Sequence, residues 1–237
     1  MKRLLFSCLL LTGFTQATAQ DYFSLLNPGS QYVYAGVSAA PALMAQTGYA
    51  FSGVTIKDKP LVFTAGITLP LFSQKGFDAE LNVGAGYQWA LAKNWNMITG
   101  LSWNIMRSQD INGRYLCSGF KLDMLPAYYT SHWMTGPHLA LDYRPWLHIR
   151  HSDYSKEAYT GLYPSGSGTY TTPRDGWFLQ DNLALQLGAG VAYFRTHWNI
   201  NLKAGFNWQP NRLGLISLPD IGIMPFYGSV NVGYKLH

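Results

Sequence analysis

Charge is scarce in this chain. Asp, Glu, Lys and Arg make up 12% of its 237 residues, about half the usual share of roughly 25%. The formal net charge of +5 is too mild for the footprint of a nucleic-acid-binding protein. Cysteine is nearly absent. Of Cys8 and Cys117, the first sits in an N-terminal apolar segment, so no intrachain disulfide framework is expected. No Cys/His set has zinc spacing, and no metal or cofactor is expected. Beyond the N-terminal segment no apolar run reaches the 18 residues that a spanning helix needs. Ser165–Pro173 (SGSGTYTTP) lacks the Lys and the strand-to-helix context of a phosphate loop and reads as a flexible loop. No repeat with a period of 20–50 residues is visible.

The first residues form a recognisable unit. Lys2 and Arg3 precede a short apolar stretch, Leu4–Leu11, and a small-residue site, Ala17-Thr18-Ala19. The pattern predicts a secretory signal over residues 1–19, with the mature chain starting at Gln20. Taking 19 residues from 237 leaves 218, and the loss of Lys2 and Arg3 lowers the net charge to +3. An exported chain without disulfides points to a bacterial envelope. Residues 20–30, with Asn27-Pro28-Gly29, read as a short periplasmic lead-in. Residues 31–237 read as one domain.

What the sequence does have is aromatics (15%), 24 glycines and strict alternation. Ala79, Leu81, Val83, Ala85, Tyr87, Trp89 and Leu91 share one parity. Glu80, Asn82, Gly84, Gly86 and Gln88 share the other. Successive strand side chains point to opposite faces, so one face is apolar and ends in aromatics while the other is polar or glycine. The layout recurs over Trp95–Ile105, Leu183–Tyr193, Trp198–Trp208 and Phe226–Leu236. Weaker strands read at Gln31–Ala39, Gln46–Ile56, Leu61–Leu71, Leu116–Leu125 and Pro137–Ile149. In the last of these, Leu147 and Ile149 are expected on the apolar face, with Trp146 and His148 on the polar one.

Low charge, many aromatics and hydrophobicity spread over every second residue predict an all-β fold. The expected form is a closed antiparallel transmembrane β-barrel of about ten strands, with eight or twelve as alternatives. A soluble secreted barrel of lipocalin type, with its apolar face inside, is the competing fold. With both termini periplasmic, short turns are expected at Lys57–Pro60, Ala92–Asn94 and Thr196–His197, and a longer one at Pro126–Thr135. The longest connections, Arg150–Trp177 and Gln209–Met224, fall on the outer side. The aromatics sort into two girdles, Tyr87, Trp89, Trp95, Tyr193, Trp198 and Tyr234 at one boundary and Trp103, Phe206 and Trp208 at the other.

Together these features resemble the small outer-membrane β-barrel proteins of Gram-negative bacteria, over about Gln31 to His237. The resemblance rests on architecture, not on a diagnostic motif. It implies an outer-membrane, porin-like protein in contact with outer-membrane lipid. It also implies a C-terminal strand read by the barrel-assembly machinery. Val230, Val232, Tyr234 and Leu236 match the alternation of such strands, and His237 departs from their aromatic ending.

Function is then a question about the lumen and the loops. Glu80, Lys121, Asp123, Asp142, Arg144 and Lys203 are expected on the inner face. Buried charges need partners, so a mutually neutralising network is expected, with Arg144, Lys203 and Lys121 paired to Glu80, Asp123 and Asp142. The role is then structural or surface-binding. A narrow channel for small solutes is the alternative. An outer-membrane enzyme acting on lipid or peptide is a second one, its candidate groups being His138, His148, Asp142, His151, Ser152 and Ser155. His138 and His148 lie ten residues apart on one strand, about 33 Å, and cannot share a site. No catalytic residue is therefore assigned. In the loop Arg150–Trp177, Tyr154, Tyr159, Tyr163 and Tyr170 are candidates for binding a surface ligand or partner.

Overall fold

The computed structural model describes residues 29–39, 43–72, 78–109, 113–152, 175–179, 183–208 and 226–236. Tyr154, Tyr159, Tyr163 and Tyr170 lie outside the described residues, as does the expected signal. Among the described residues eleven strands follow one another: β1 (Gln31–Ala39), β2 (Leu43–Ile56), β3 (Lys59–Pro70), β4 (Ala79–Ala92), β5 (Trp95–Gln109), β6 (Gly113–Tyr129), β7 (Trp133–His151), β8 (Gly176–Leu179), β9 (Leu183–Phe194), β10 (Trp198–Trp208) and β11 (Phe226–Lys235). Ten of them close into an antiparallel barrel. Neighbours in sequence pair all the way round, β7 pairs β9, and β11 returns to β1. β8 stands outside the ring on β7, pairing Trp146–Ile149.

Each of the ten strands expected from alternation is present, and the tight turns share one end with Gln31 and Lys235. At Lys57 and Asp58 both φ values are positive, 48° and 62°. Such a two-residue turn matches the twist of its flanking strands. One expected turn is wrong. Residues Pro126–Thr135 are mostly strand, and the chain reverses only at Thr130–His132. The ladder keeps its register from Met124↔Leu139 to Tyr128↔Thr135. Pro126 therefore falls opposite Pro137. Neither has an N–H to donate, so the ladder is interrupted there without ending.

A second correction concerns β7. Opposite Gly119 the strand carries two residues, Arg144 and Pro145, where β6 carries one. This bulge reverses the facing of everything beyond it. Leu147 and Ile149 turn inward and are buried, while Trp146 and His148 turn outward.

Everywhere else the expected faces hold. The apolar parity is outside, with Leu101 55%, Val83 57% and Leu202 47% exposed, and the polar parity is inside. An inside-apolar barrel of lipocalin type is thereby contradicted. The interior is layered along the axis. Near the tight turns Tyr32, Tyr34, Val62, Ile98, Leu125 and Phe194 form an apolar cluster. Near the far rim Met44, Met106, Tyr115, Cys117, Leu147 and Ile149 form another. Charged and amide side chains fill the middle.

Inward glycines make this filling possible. Tyr34, Gly48, Gly66 and Asn82 stand at one level across β1 to β4, and the Tyr34 hydroxyl lies where Cβ atoms on both glycines would be. Tyr227, Gly205, Gly188 and His138 repeat the arrangement across β11, β10, β9 and β7. Gly119 serves the bulge instead, for a Cβ there would strike the Tyr143 carbonyl. Gly119→Val is expected to lower stability by about 1–3 kcal/mol, because backbone must move. At Gly190 an added Cβ meets only side-chain and carbonyl atoms, at 3.6 Å or beyond, so Gly190→Ala should be close to neutral. Thermal unfolding of the two purified variants checks the contrast.

Candidate functional site

Pleat and bulge together bring the charged side chains to one layer. Glu80 on β4, Lys121 and Asp123 on β6, Asp142 and Arg144 on β7 and Lys203 on β10 are all 4% exposed or less. Asp142 and Arg144 are two residues apart on one strand and so share a face. The bulge begins at Arg144 and turns its side chain along the lumen. Its Nε donates to Asp142 Oδ1 at 2.9 Å and its Nη2 to Asp142 Oδ2 at 2.7 Å, the bidentate geometry that suits a guanidinium best. Nη2 also lies 3.2 Å from Glu80 Oε1, across β5 and β6. Nη1 reaches Met106 Sδ of the apolar layer above, at 3.4 Å.

Asp123 is the second centre. Lys121 Nζ approaches its Oδ1 at 3.5 Å. His138 Nε2 lies 3.0 Å from the same oxygen, and His138 Nδ1 lies 2.7 Å from the Tyr227 hydroxyl. A neutral imidazole satisfies both contacts in one tautomer, with Nε2–H donating to Asp123 and Nδ1 accepting from Tyr227. Lys203 is near enough to act electrostatically on both Asp123 and His138. Three carboxylates and three cations thus share the layer, and their formal charges cancel. Gln46 Nε2 donates to Asn231 Oδ1 above Gly36, linking β2 to β11. The amides of Asn104, Gln186 and Asn201 are also buried here, with no hydrogen-bond partner among the described residues; water is the partner that a polar lumen can supply.

All six charged residues expected in the lumen are in this layer, and the pairing matches expectation in part. Arg144 joins Glu80 and Asp142, and Lys121 joins Asp123. Alternation put His138 on the inner face but did not join it to Asp123, and Tyr227 was missed. Their link needs the register of β11, which follows a long connection and is invisible in the pattern.

The hydroxyl, imidazole and carboxylate of Tyr227, His138 and Asp123 stand in the order of a nucleophilic triad. All three are buried, and the chain of contacts ties β6, β7 and β11 together. The other candidate catalytic groups stand elsewhere on β7 or follow it in sequence. His148 faces outward against Trp177, ring centroids 5.0 Å apart. His151 meets Asp175, Nδ1 to Oδ1 3.1 Å. Ser155 lies outside the described residues. Among the described residues no group of three or more His, Cys, Asp or Glu side chains could hold a metal ion. No protein-family model matches the chain, and no curated protein matches it significantly.

Removing one partner of a buried pair strands the other, at about 3–5 kcal/mol. Arg144→Leu is expected to lose that much stability. Adding Glu80→Gln and Asp142→Asn to it should recover the greater part. Tyr227→Phe should cost about 1 kcal/mol, the usual worth of one hydrogen bond. Denaturant titration of the purified variants measures all three.

Proposed function

We propose that this chain is an integral outer-membrane β-barrel with a filled, charge-neutral lumen, and that its role is structural or surface-binding. The observation that carries the reading is the inside-out burial. Leucine, valine and aromatic side chains encircle the outside, while lysine, arginine and carboxylates are sealed within. Exposed apolar patches on soluble monomers rarely exceed a few hundred Å², and a belt around the whole barrel is of another order. Hydrocarbon is the solvent that such a belt fits, and closure leaves no strand edge unpaired in it.

The belt is bounded as a membrane surface is. Near the tight turns Tyr87 packs on Trp89, Trp95 on Tyr128, and Tyr193 between Trp133 and Trp198. Toward the other rim lie Trp103, Phe120 and Trp146, with Phe206 on Phe226. Aromatic girdles of this kind mark the two interfaces of a bilayer. On this reading the termini and tight turns face the periplasm and the long connections face outward. The outward Val230, Val232, Tyr234 and Leu236 then form the strand that the assembly machinery would read. The two apolar layers favour a sealed lumen over a solute path.

Leu101→Arg places a charge in the middle of the belt, where it costs about 2–4 kcal/mol, and is expected to abolish recovery from the outer-membrane fraction. Normal membrane recovery of that variant would reject the membrane reading. In planar bilayers the wild-type protein is expected to be silent, and steady single-channel conductance would reject the sealed lumen.

A further inference from the structure

The outer surface of β5, β6 and β7 changes character toward the far rim. On β5 the outward residues run Leu101, Trp103, Ile105, Arg107. On β7 they run Tyr143, Trp146, His148, Arg150. Trp103 and Trp146 stack at 5.4 Å with planes 5° apart, and Phe120 packs against both. Just beyond this ridge Arg114 of β6 stands directly opposite Arg150 of β7 in the ladder, and both are exposed. Arg107 is a diagonal neighbour, since Arg114 pairs with Gln109 two residues further along β5. Arg107 has a carboxylate, Asp78, at 3.1 Å. Arg114 and Arg150 have none within ion-pair distance among the described residues.

Like charges directly opposite each other on one face of a sheet are destabilising, so this pair calls for an anion. Among the described residues, no other pair of cations faces each other across the ladder at this rim. The outward residues elsewhere on it are Leu43 on β2, Leu69 on β3, Trp208 on β10 and Phe226 on β11. Among the described residues the cations of this rim thus gather in one sector, at the edge of an apolar belt and above an aromatic ridge. Guanidinium groups bind phosphate through paired N–H donors, and two of them side by side can share one phosphate's oxygens. A free phosphate would have no use for the ridge below. A lipid phosphate has, because its acyl chains continue down over Trp103, Phe120 and Trp146.

We infer that Arg114 and Arg150, with the Trp103–Phe120–Trp146 ridge, form a binding site for a lipid whose headgroup carries a phosphate monoester. The inference rests on the membrane reading and adds to it a specific lipid class and a specific sector. It is tested on the full mature chain by native mass spectrometry, with dioleoyl phosphatidic acid, dioleoyl phosphatidylcholine and soluble glycerol 3-phosphate as probes. One phosphatidic acid is expected to be retained in preference to phosphatidylcholine. Each of Arg114→Gln and Arg150→Gln should weaken it by about fivefold, the worth of one basic residue at a lipid surface. Arg195→Gln, which removes a cation from the opposite rim, should leave it unchanged. Without lipid, Arg150→Gln should unfold no earlier than wild type, since it relieves a repulsion. Equal retention of the two lipids, or full retention by Arg114→Gln/Arg150→Gln, would overturn the inference. Displacement of the lipid by glycerol 3-phosphate would also overturn it, by identifying a site for free anions. A wild-type chain that does not enter bilayers defeats the membrane reading. One that enters them but shows no lipid preference defeats this inference alone.

Discussion

The interior depends on one guanidinium. Arg144 is buried between Asp142 on its own strand and Glu80 on the far side of β5 and β6. An ion of that size out of water is costly unless its charge and its hydrogen bonds are met together. The sequence can meet them only because β7 bulges at Arg144 and Pro145. The bulge aims the arginine, and it also turns Leu147 and Ile149 inward, where they close the layer above. One extra residue in one strand thus serves both the charged centre and its apolar cover.

The same logic spreads from β7 around the ring. Arg144 reaches β4 over two strands, and His138 meets Tyr227 of β11 over two others. Gln46 and Asn231 join β2 to β11 over β1. Two of these chords lie against the inner wall where glycine leaves a trough, His138–Tyr227 over Gly188 and Gly205 and Gln46–Asn231 over Gly36. Backbone pairing joins each strand only to its neighbours, and the chords join strands that never pair. They add to the ladder a second level of connection, one that fixes the cross-section of the barrel. The six formal charges cancel, so the layer holds no net charge.

Much of this was legible in the sequence. The alternation of Leu81, Val83 and Ala85 against Glu80, Asn82 and Gly84 fixed faces as well as strands, because a period of two admits only two phases. The six luminal charges followed from that phase. The bulge did not follow. Leu147-His148-Ile149-Arg150 alternates equally well in either phase, and nothing local says that a residue has been inserted before it. The Pro126 misreading has a similar cause. A proline in a strand pattern argues for a stop, and the sequence does not show that Pro137 stands opposite and leaves the same gap. The chords were beyond reach, since they depend on which residues stand level across several strands. Short turns pass register along between neighbours. The long connection before β11 loses it, so Tyr227 could not be matched to His138.

The pairing of β1 with β11 sets Tyr32 opposite Lys235, almost the whole length of the chain apart. All other backbone pairings of the ring join strands that follow one another around it, and most of these form with little loss of loop entropy. A growing chain could therefore lay down hairpin upon hairpin as a curved open sheet. It would still carry two unsatisfied edges until its last strand arrived. Closure is then one late event that depends on β11. Until it occurs, the first and last strands are the places where another chain could add itself. A molecule built this way gains from being kept apart from its own copies until its end has been made.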